Sequence, residues 1–214
     1  MRRSINDSSL MVAMNPESPI SEVYRLLRTK IHFASKEQEL KTIMITSTQA
    51  GEGKTTTICN LAVTYAQEGK RVLLIDADMR KPSLHRLFSQ PNHQGLSTLL
   101  TGNTNVQDII QETFVSCLSL LSSGPAPSNP AELMNSTAFC ELLEQLKFQY
   151  DIILIDTPAV LTATDSVIIS ALCDGVVMLV AAGKVRKENL MKAKEQLNHV
   201  NARILGIVIH KEEK

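Results

Sequence analysis

The sequence lacks a surplus of either charge. Lysine and arginine together number 22, aspartate and glutamate also number 22, and the formal net charge is zero. A dedicated nucleic-acid-binding protein usually carries a clustered basic excess, so the composition argues against nucleic acid as a partner. The remaining composition, 43% hydrophobic and 21% charged over 214 residues, is typical of a globular protein that can bury its own core.

Paired cysteines and long apolar runs are also missing. The four cysteines lie far apart, with no C-x-x-C pair and no histidine at ligand spacing, so we predict neither a disulfide framework nor a zinc site. The most apolar stretch, 167–183, is interrupted by Asp174 and Gly175 and is shorter than the ~20 apolar residues of a membrane helix. The first 20 residues do not form a secretory signal. We therefore expect a cytoplasmic protein that reaches the membrane only through a partner.

Short β-rich runs alternate with helical stretches along most of the chain. The runs are continuously apolar, as expected of strands buried on both faces of a parallel sheet. We therefore predict an α/β fold with a doubly wound, mostly parallel sheet. The predicted strands are 42–46, 71–78, 118–123, 151–156, 175–182 and 203–209. The predicted helices that follow the first strand are 54–69, 131–149, 165–173 and 187–200, the second with Asn129 as its cap.

The chain ahead of the first strand divides into two segments. Residues 1–17 are polar and irregular, and we expect them to be mobile. Residues 18–40 form a helical arm, in which a helix over 18–35 begins with Ser21 as its cap. The apolar face of that helix consists of Ile20, Val23, Leu26, Leu27 and Ile31. Residues 41–214 form the main domain.

The segment TIMITSTQAGEGKTTT places a glycine-containing turn between a predicted strand and a predicted helix. This is the setting of a phosphate-binding loop, where glycines let backbone N–H groups approach a phosphate at a helix N-terminus. Gly51 and Gly53 suit that approach. Lys54 is placed to reach the terminal phosphates and the Thr55 hydroxyl to hold Mg²⁺. The usual pattern begins with glycine where this chain has Thr48.

Three aspartates lie at the carboxyl ends of predicted strands. Asp76 and Asp78 lie in LLIDADMR, and Asp156 lies in ILIDTP. Ligands of such sheets bind at the carboxyl ends of the strands. Carboxylates that converge beside a triphosphate require a divalent cation, although any one of them alone also fits a turn cap.

These motifs resemble those of the bacterial tyrosine kinases, which use Walker-type motifs. QAGEGKTT resembles their Walker A segment, with Ala50 in place of a proline, LLIDADMRKP their second acidic motif, and ILIDTPA their Walker B. The similarity spans about residues 18–210. It implies a P-loop NTPase-like fold and a non-specific protein-tyrosine kinase that uses ATP and Mg²⁺. The implied setting is capsule or exopolysaccharide production.

The resemblance also implies partners. EVYRLLR matches the E-x-x-R-x-x-R pattern through which these kinases assemble as homo-oligomeric rings, with Glu22 of one subunit meeting Arg25 and Arg28 of the next. A solvated charged face is the alternative for these three residues. Activation by the cytoplasmic tail of a membrane protein of the polysaccharide co-polymerase type is implied as well. Protein tyrosines are the implied substrates.

We assign roles on this basis. The catalytic set is Lys54, Asp76, Asp78 and Asp156. The metal set is Thr55, Asp76 and Asp156. The nucleotide-binding set is Ala50, Gly51, Glu52, Gly53, Lys54, Thr55, Thr56 and His210. His210 stands where relatives carry an asparagine that reads adenine. Asp78 is the candidate acceptor of the tyrosine proton, and Asp76 is the alternative.

The sequence departs from the family's pattern in its tyrosines. There is no cluster of tyrosines near the end, and the last of the three is Tyr150. The chain has therefore lost its own substrate segment, phosphorylates other proteins, or keeps ATP binding as a regulatory scaffold module. Tyr24 is the one tyrosine we expect to be readily exposed. A third reading, a dimeric partitioning-type ATPase, is disfavoured because Gln49 replaces the signature lysine of that group.

Overall fold

The computed structural model describes residues 9–34, 39–102 and 104–210. The strands are β1 (Thr42–Ser47), β2 (Val72–Asp76), β3 (Gln111–Glu112), β4 (Leu118–Leu121), β5 (Ile152–Asp156), β6 (Gly175–Ala181) and β7 (Ile204–His210). They form one sheet in the order β3-β4-β2-β5-β1-β6-β7. Every neighbouring pair is parallel except β3 and β4. The predicted doubly wound, mostly parallel fold is confirmed, whereas the short edge strand β3 was not predicted.

Helices connect the strands on both faces of the sheet. They are α1 (Met11–Met14), α2 (Pro19–Ala34), α3 (Lys54–Gln67), α4 (Leu84–Leu87), α5 (Leu96–Thr101), α6 (Val106–Ile109), α7 (Pro130–Met134), α8 (Thr137–Gln149), α9 (Thr164–Leu172) and α10 (Lys187–His199). None of the helices in the described ranges is long and apolar enough to cross a membrane. The predicted helix 131–149 is wrong as a single element. It is interrupted because the Ser136 side chain accepts the Phe139 N–H and starts α8 anew. Asn129 precedes α7 but makes no capping hydrogen bond with its side chain.

The core lies on the two faces of the central strands. β1, β2 and β5 are buried along their whole length, as their continuous apolar sequences predicted. Ile43 and Ile45 point to the cluster that contains α3, and Met44 points to the opposite cluster with Phe139 of α8. Alternate residues of one strand therefore stabilise both layers of helices.

The N-terminal segment differs from the expectation in two respects. Leu10 and Val12 are fully buried, and Val12 donates its N–H to Asn60 of α3. The described part of the segment that was expected to be irregular thus contains a short helix packed on α3. The Ser18 hydroxyl, not that of Ser21, accepts a backbone N–H at the start of α2. Ser21 lies within the helix and donates to a carbonyl of the preceding turn.

Helix α2 packs on α3 through only part of its apolar face. Ile31 is buried and Leu27 is half-buried. The other three predicted face residues, Ile20, Val23 and Leu26, are exposed. The arm therefore presents an apolar strip to solvent beside its charged residues.

Candidate active site

The phosphate loop joins β1 to α3 and contains two glycines with left-handed backbone. Gly51 and Gly53 have φ angles of 81° and 86°, which residues with a Cβ rarely adopt. Gly53 is the N-cap residue of α3, and no side chain caps the helix. The first N–H groups of α3 therefore remain available to an anion.

Glu52 turns its carboxylate into the protein. Its Oε1 accepts the Thr48 hydroxyl at 2.6 Å and the Gln49 N–H at 2.7 Å, and its Oε2 accepts the N–H of Ala181 at 2.9 Å. The side chain is 3% exposed. Glycine is usual at the position of Thr48, and glycine has no side chain that could donate this hydrogen bond. The Glu52 side chain fastens the loop to the end of β6, which sequence reasoning did not foresee.

Lys54, Thr55 and Asp156 meet where the loop passes the end of β5. The Thr55 hydroxyl donates to Asp156 Oδ2 at 2.7 Å. Lys54 is 8% exposed, and its charge lowers the pKa of Asp156 against the larger effect of burial. The structure therefore brings together three of the residues that the sequence assigned to phosphate and metal.

The two aspartates after β2 have different surroundings. Asp76 is buried, and its carboxylate accepts the N–H groups of Asp78, Ser83 and Leu84 at 3.0 to 3.2 Å. Asp78 is half-buried and accepts the N–H of Lys81. Asp76 thus also serves as the turn cap that the sequence left open as an alternative. Asp78 is the more exposed of the two carboxylates.

Burial changes the acidity of this cluster. Asp76 and Asp156 are partners in the register of β2 and β5. Burial, followed by the charge of Asp156, raises the pKa of Asp76 to about 8. Burial raises the pKa of Asp156 to about 7, with the charge of Asp78 adding to it. Two carboxylates held so close in a dry site favour a cation between or beside them.

The residues fit a magnesium ion. Asp156 Oδ1 is buried and has no hydrogen-bond partner, so this oxygen is left for a ligand. Within the described residues, no group of three or more histidine, cysteine or acidic side chains is arranged as a metal cage. Mg²⁺ suits such a site because it usually binds one or two carboxylates together with waters and substrate phosphates. Asp156, Asp76 and Thr55 are the residues that would hold it.

A cavity of about 400 Å³ opens beside the phosphate loop. Its walls include Gly51, Gly53 and the first turn of α3. Two further residues, Tyr24 of α2 and His210 at the end of β7, also line it. His210 therefore lies beside the phosphate loop, and its role in reading adenine stays a prediction. Tyr24 was expected to be exposed, but it is half-buried in this wall.

The arm residues form contacts within the chain. Arg25 is paired with Glu22 one turn earlier. Arg28 donates to the Thr64 carbonyl at 2.5 Å and lies 3.5 Å from Glu68. Glu22 is exposed, whereas Arg28 fixes α2 to α3. The predicted role of these residues between subunits stays a prediction.

Arg80 has a partner that the sequence did not identify. Its guanidinium donates twice to Asp165, at 2.9 and 3.1 Å. Asp165 is fully buried in the first turn of α9. The pair therefore ties the loop that carries Asp78 to another part of the sheet edge. An acidic residue at a helix start is too common to have signalled this contact.

Comparisons with known proteins agree with this site. A family model described as an AAA domain matches residues 40–204. Tyrosine-protein kinase YwqD of Bacillus subtilis is 41% identical over 209 residues, which cover 98% of this chain and 88% of YwqD. Tyrosine-protein kinase CpsD of Streptococcus agalactiae is 39% identical over 211 residues, covering 98% of this chain and 90% of CpsD.

A solved structure gives the same answer for the fold. The crystal structure of the chimerical protein CapA2B2 superposes with a TM-score of 0.92 at 42% identity, covering 97% of this chain and 91% of that one. Similarity of this extent reaches beyond the nucleotide-binding motifs to nearly every described element. The chain belongs to the family of bacterial tyrosine-protein kinases, in which the phosphate loop and the aspartates are carried by an AAA-type domain.

Proposed function

We propose that this chain is a non-specific protein-tyrosine kinase that transfers the γ-phosphate of Mg-ATP to tyrosines of other proteins. The observation that carries the proposal is the junction of Lys54, Thr55 and Asp156 at one edge of the sheet. That junction fits transfer from a nucleoside triphosphate in general. Tyrosine as the acceptor is supported by the kinases that are similar over nearly the whole chain.

The chain's residues divide the work of positioning and charge neutralisation. Lys54 and the backbone of residues 51–56 bind the phosphates. Thr55, Asp76 and Asp156 would hold Mg²⁺, which would neutralise phosphate charge. The tyrosine oxygen forms a bond to the γ-phosphorus, the bond from that phosphorus to the bridging oxygen breaks, and ADP leaves. Asp78 takes the phenolic proton, since it is the half-buried aspartate and accepts fewer backbone N–H groups than Asp76.

The acceptor tyrosines belong to other proteins. The chain has three tyrosines, and all three lie in described segments. Tyr65 is buried, and Tyr24 and Tyr150 are half-buried. A buried or half-buried tyrosine must move out of the fold before its hydroxyl can enter the active site of another copy. Substrates with exposed tyrosines are therefore favoured.

The arm of α2 supports assembly and a membrane partner. Glu22 and the exposed apolar residues Val23 and Leu26 lie on the outer side of this helix. We propose a homo-oligomeric ring through Glu22, Arg25 and Arg28. The cytoplasmic tail of a polysaccharide co-polymerase would activate this ring at the inner face of the cell membrane. Capsule or exopolysaccharide synthesis is the process controlled.

The second candidate is an ATP-dependent regulatory module of the same pathway. The buried or half-buried positions of the chain's own tyrosines favour it, because autophosphorylation would then need a rearrangement. A partitioning-type ATPase ranks third, since Gln49 offers no charge to a neighbouring nucleotide.

A phosphotyrosine assay separates these functions. The purified chain is incubated with Mg-ATP and a glutamate–tyrosine copolymer, alone and with the co-polymerase tail. Lys54→Met should abolish transfer, while Lys70→Met, an exposed lysine beyond α3, should leave it unchanged. Tight ATP binding without phosphotyrosine under either condition would establish the regulatory module. Rapid hydrolysis stimulated by DNA or lipid, again without phosphotyrosine, would establish the ATPase.

A further inference from the structure

Tyr24 is the one phenylalanine, tyrosine or tryptophan in the wall of the nucleotide cavity, among the residues that the structure describes. It comes from α2, not from the loop or strands that carry the phosphate site. The first turn of α3 lines the same cavity. The arm therefore contributes directly to the pocket.

The Tyr24 side chain is half-buried. Burial raises the pKa of its hydroxyl, and the nearby side chain of Thr57 in α3 lowers it by a smaller amount. The Tyr24 ring packs against the apolar cluster on the α3 side of the sheet. Leu27, about one helical turn further along α2, packs against the same cluster. Arg28 fixes α2 to the Thr64 carbonyl further along α3. The ring is thus part of a helix fastened to α3 at two points.

The phosphate loop supplies little for a nucleoside. Gly51, Gly53 and the threonines of α3 offer backbone N–H groups and hydroxyls, which suit phosphate. A base needs a flat apolar surface to stack on, and aromatic side chains provide one. Of the cavity's described walls, Tyr24 and His210 have rings.

We propose that Tyr24 forms the nucleoside-side wall of this pocket, contacting the base or ribose of a bound nucleotide and not its phosphates. The inference rests on the proposed function, since it takes the cavity as the nucleotide site. It also makes the arm sensitive to the nucleotide. Tyr24 lies between Glu22 and Arg25 on one helix, so a ligand that orders the ring orders the arm by the same interaction.

Two ligands distinguish a nucleoside contact from a phosphate contact. Binding of Mg-ADP and of Mg-pyrophosphate is measured by calorimetry for the wild type, Tyr24→Ala and Tyr24→Phe. Tyr24→Ala should weaken ADP binding about tenfold, within the range known for loss of a stacked aromatic. It should leave pyrophosphate binding within about twofold, and Tyr24→Phe should bind ADP nearly as the wild type does. Tyr150→Ala, at the opposite end of the strands, is the matched control.

Several results would overturn the inference. Unchanged ADP binding by Tyr24→Ala would show that the ring does not touch the nucleoside. An equal loss of pyrophosphate binding would show that the ring acts through the phosphate loop. Tyr24→Leu keeps apolar packing and serves if the alanine variant unfolds early in a thermal melt. A wild type that binds neither ligand would defeat the proposed function as well, whereas binding of both with no effect at Tyr24 defeats only the inference.

Discussion

Asp76 and Asp156 lie side by side at the ends of adjacent parallel strands, with their Cα atoms in register. Burial raises the pKa of both carboxyl groups, to about 8 and about 7 respectively. In the metal-free protein the pair therefore still holds a proton at a pH where both groups have released theirs in the unfolded chain. This arrangement makes the stability of the fold depend on pH in a defined direction.

The free energy of unfolding of the metal-free protein should fall as pH rises from about 4 to about 8. In that range the native state binds more protons than the unfolded state, so the slope is negative, and it levels off above the folded pKa values. Urea denaturation in EDTA at several pH values measures this pH dependence of the free energy of unfolding. Stabilisation by Mg-ADP should grow over the same range, because Mg²⁺ binds the deprotonated carboxylates.

Asp156→Asn is the control for this effect. The amide cannot ionise, so the variant should show a shallower pH slope. At pH 8 without metal it should exceed the wild type by about 1 kcal/mol, or roughly 2–4 °C in melting temperature. Stabilisation by Mg-ADP should be largely lost. An unchanged slope in the variant would show that other groups produce the pH dependence.

Glu52→Gln should weaken nucleotide binding and lower stability together. The two carboxylate oxygens of Glu52 accept three donors, and a glutamine places an NH₂ group against at least one of them. A buried donor left without an acceptor costs about 1–3 kcal/mol. Denaturation and ADP calorimetry measure the two effects. In a double-mutant cycle with Thr48→Val, residues in contact should show coupled losses of stability. Additive losses would contradict a stabilising hydrogen bond between Thr48 and Glu52.

Arg80→Gln should lower kcat more than it raises KM for ATP. Its partner Asp165 is fully buried, and the pair holds the loop that carries Asp78. Asp165 would be left unpaired, at a stability cost of about 1–2 kcal/mol, less than in a fully buried pair because Arg80 is partly exposed. Steady-state kinetics and urea denaturation test both parts. Lys81→Ala, at an exposed neighbour, should change neither, and equal effects of the two variants would argue against a specific tether.

The features predicted correctly from sequence are those carried by a local motif at a strand end. The phosphate loop lies immediately before α3. Asp76 and Asp156 are the last residues of two strands that can be recognised by their apolar sequences. Parallel pairing then brings these ends together without further information. The site's centre therefore follows from short segments and one topological rule.

The features that were missed depend on side-chain direction or on distant pairing. The inward turn of Glu52 follows from the left-handed glycines on either side of it. The contact between Arg80 and Asp165 joins residues 85 positions apart. The placement of Tyr24 depends on which side of α2 packs against α3. The helix's apolar pattern is too broad to decide this, since it also includes the exposed Val23.

Gly95→Ala should strongly destabilise the fold at the edge beside the site. A Cβ on Gly95 would lie 2.1 Å from the carbonyl oxygen of Ser122 and 2.3 Å from the nitrogen of Gly124. These atoms are backbone, so they cannot move aside as a flexible side chain would. Overpacking of this kind costs about 3 kcal/mol or more, on the order of 10 °C in melting temperature.

The matched control for that change is Gly206→Ala. Gly206 lies on the edge strand β7, and a Cβ there would meet nothing within 4 Å. Because alanine also loses less conformational entropy than glycine in a strand, this variant should melt at or slightly above the wild-type temperature. Equal melting temperatures of the two variants would contradict this prediction. They would show that the close backbone contact at Gly95 does not hold α5 against the loop after β4. A large difference between them would locate that stability in the backbone contact, because both changes add the same methyl group.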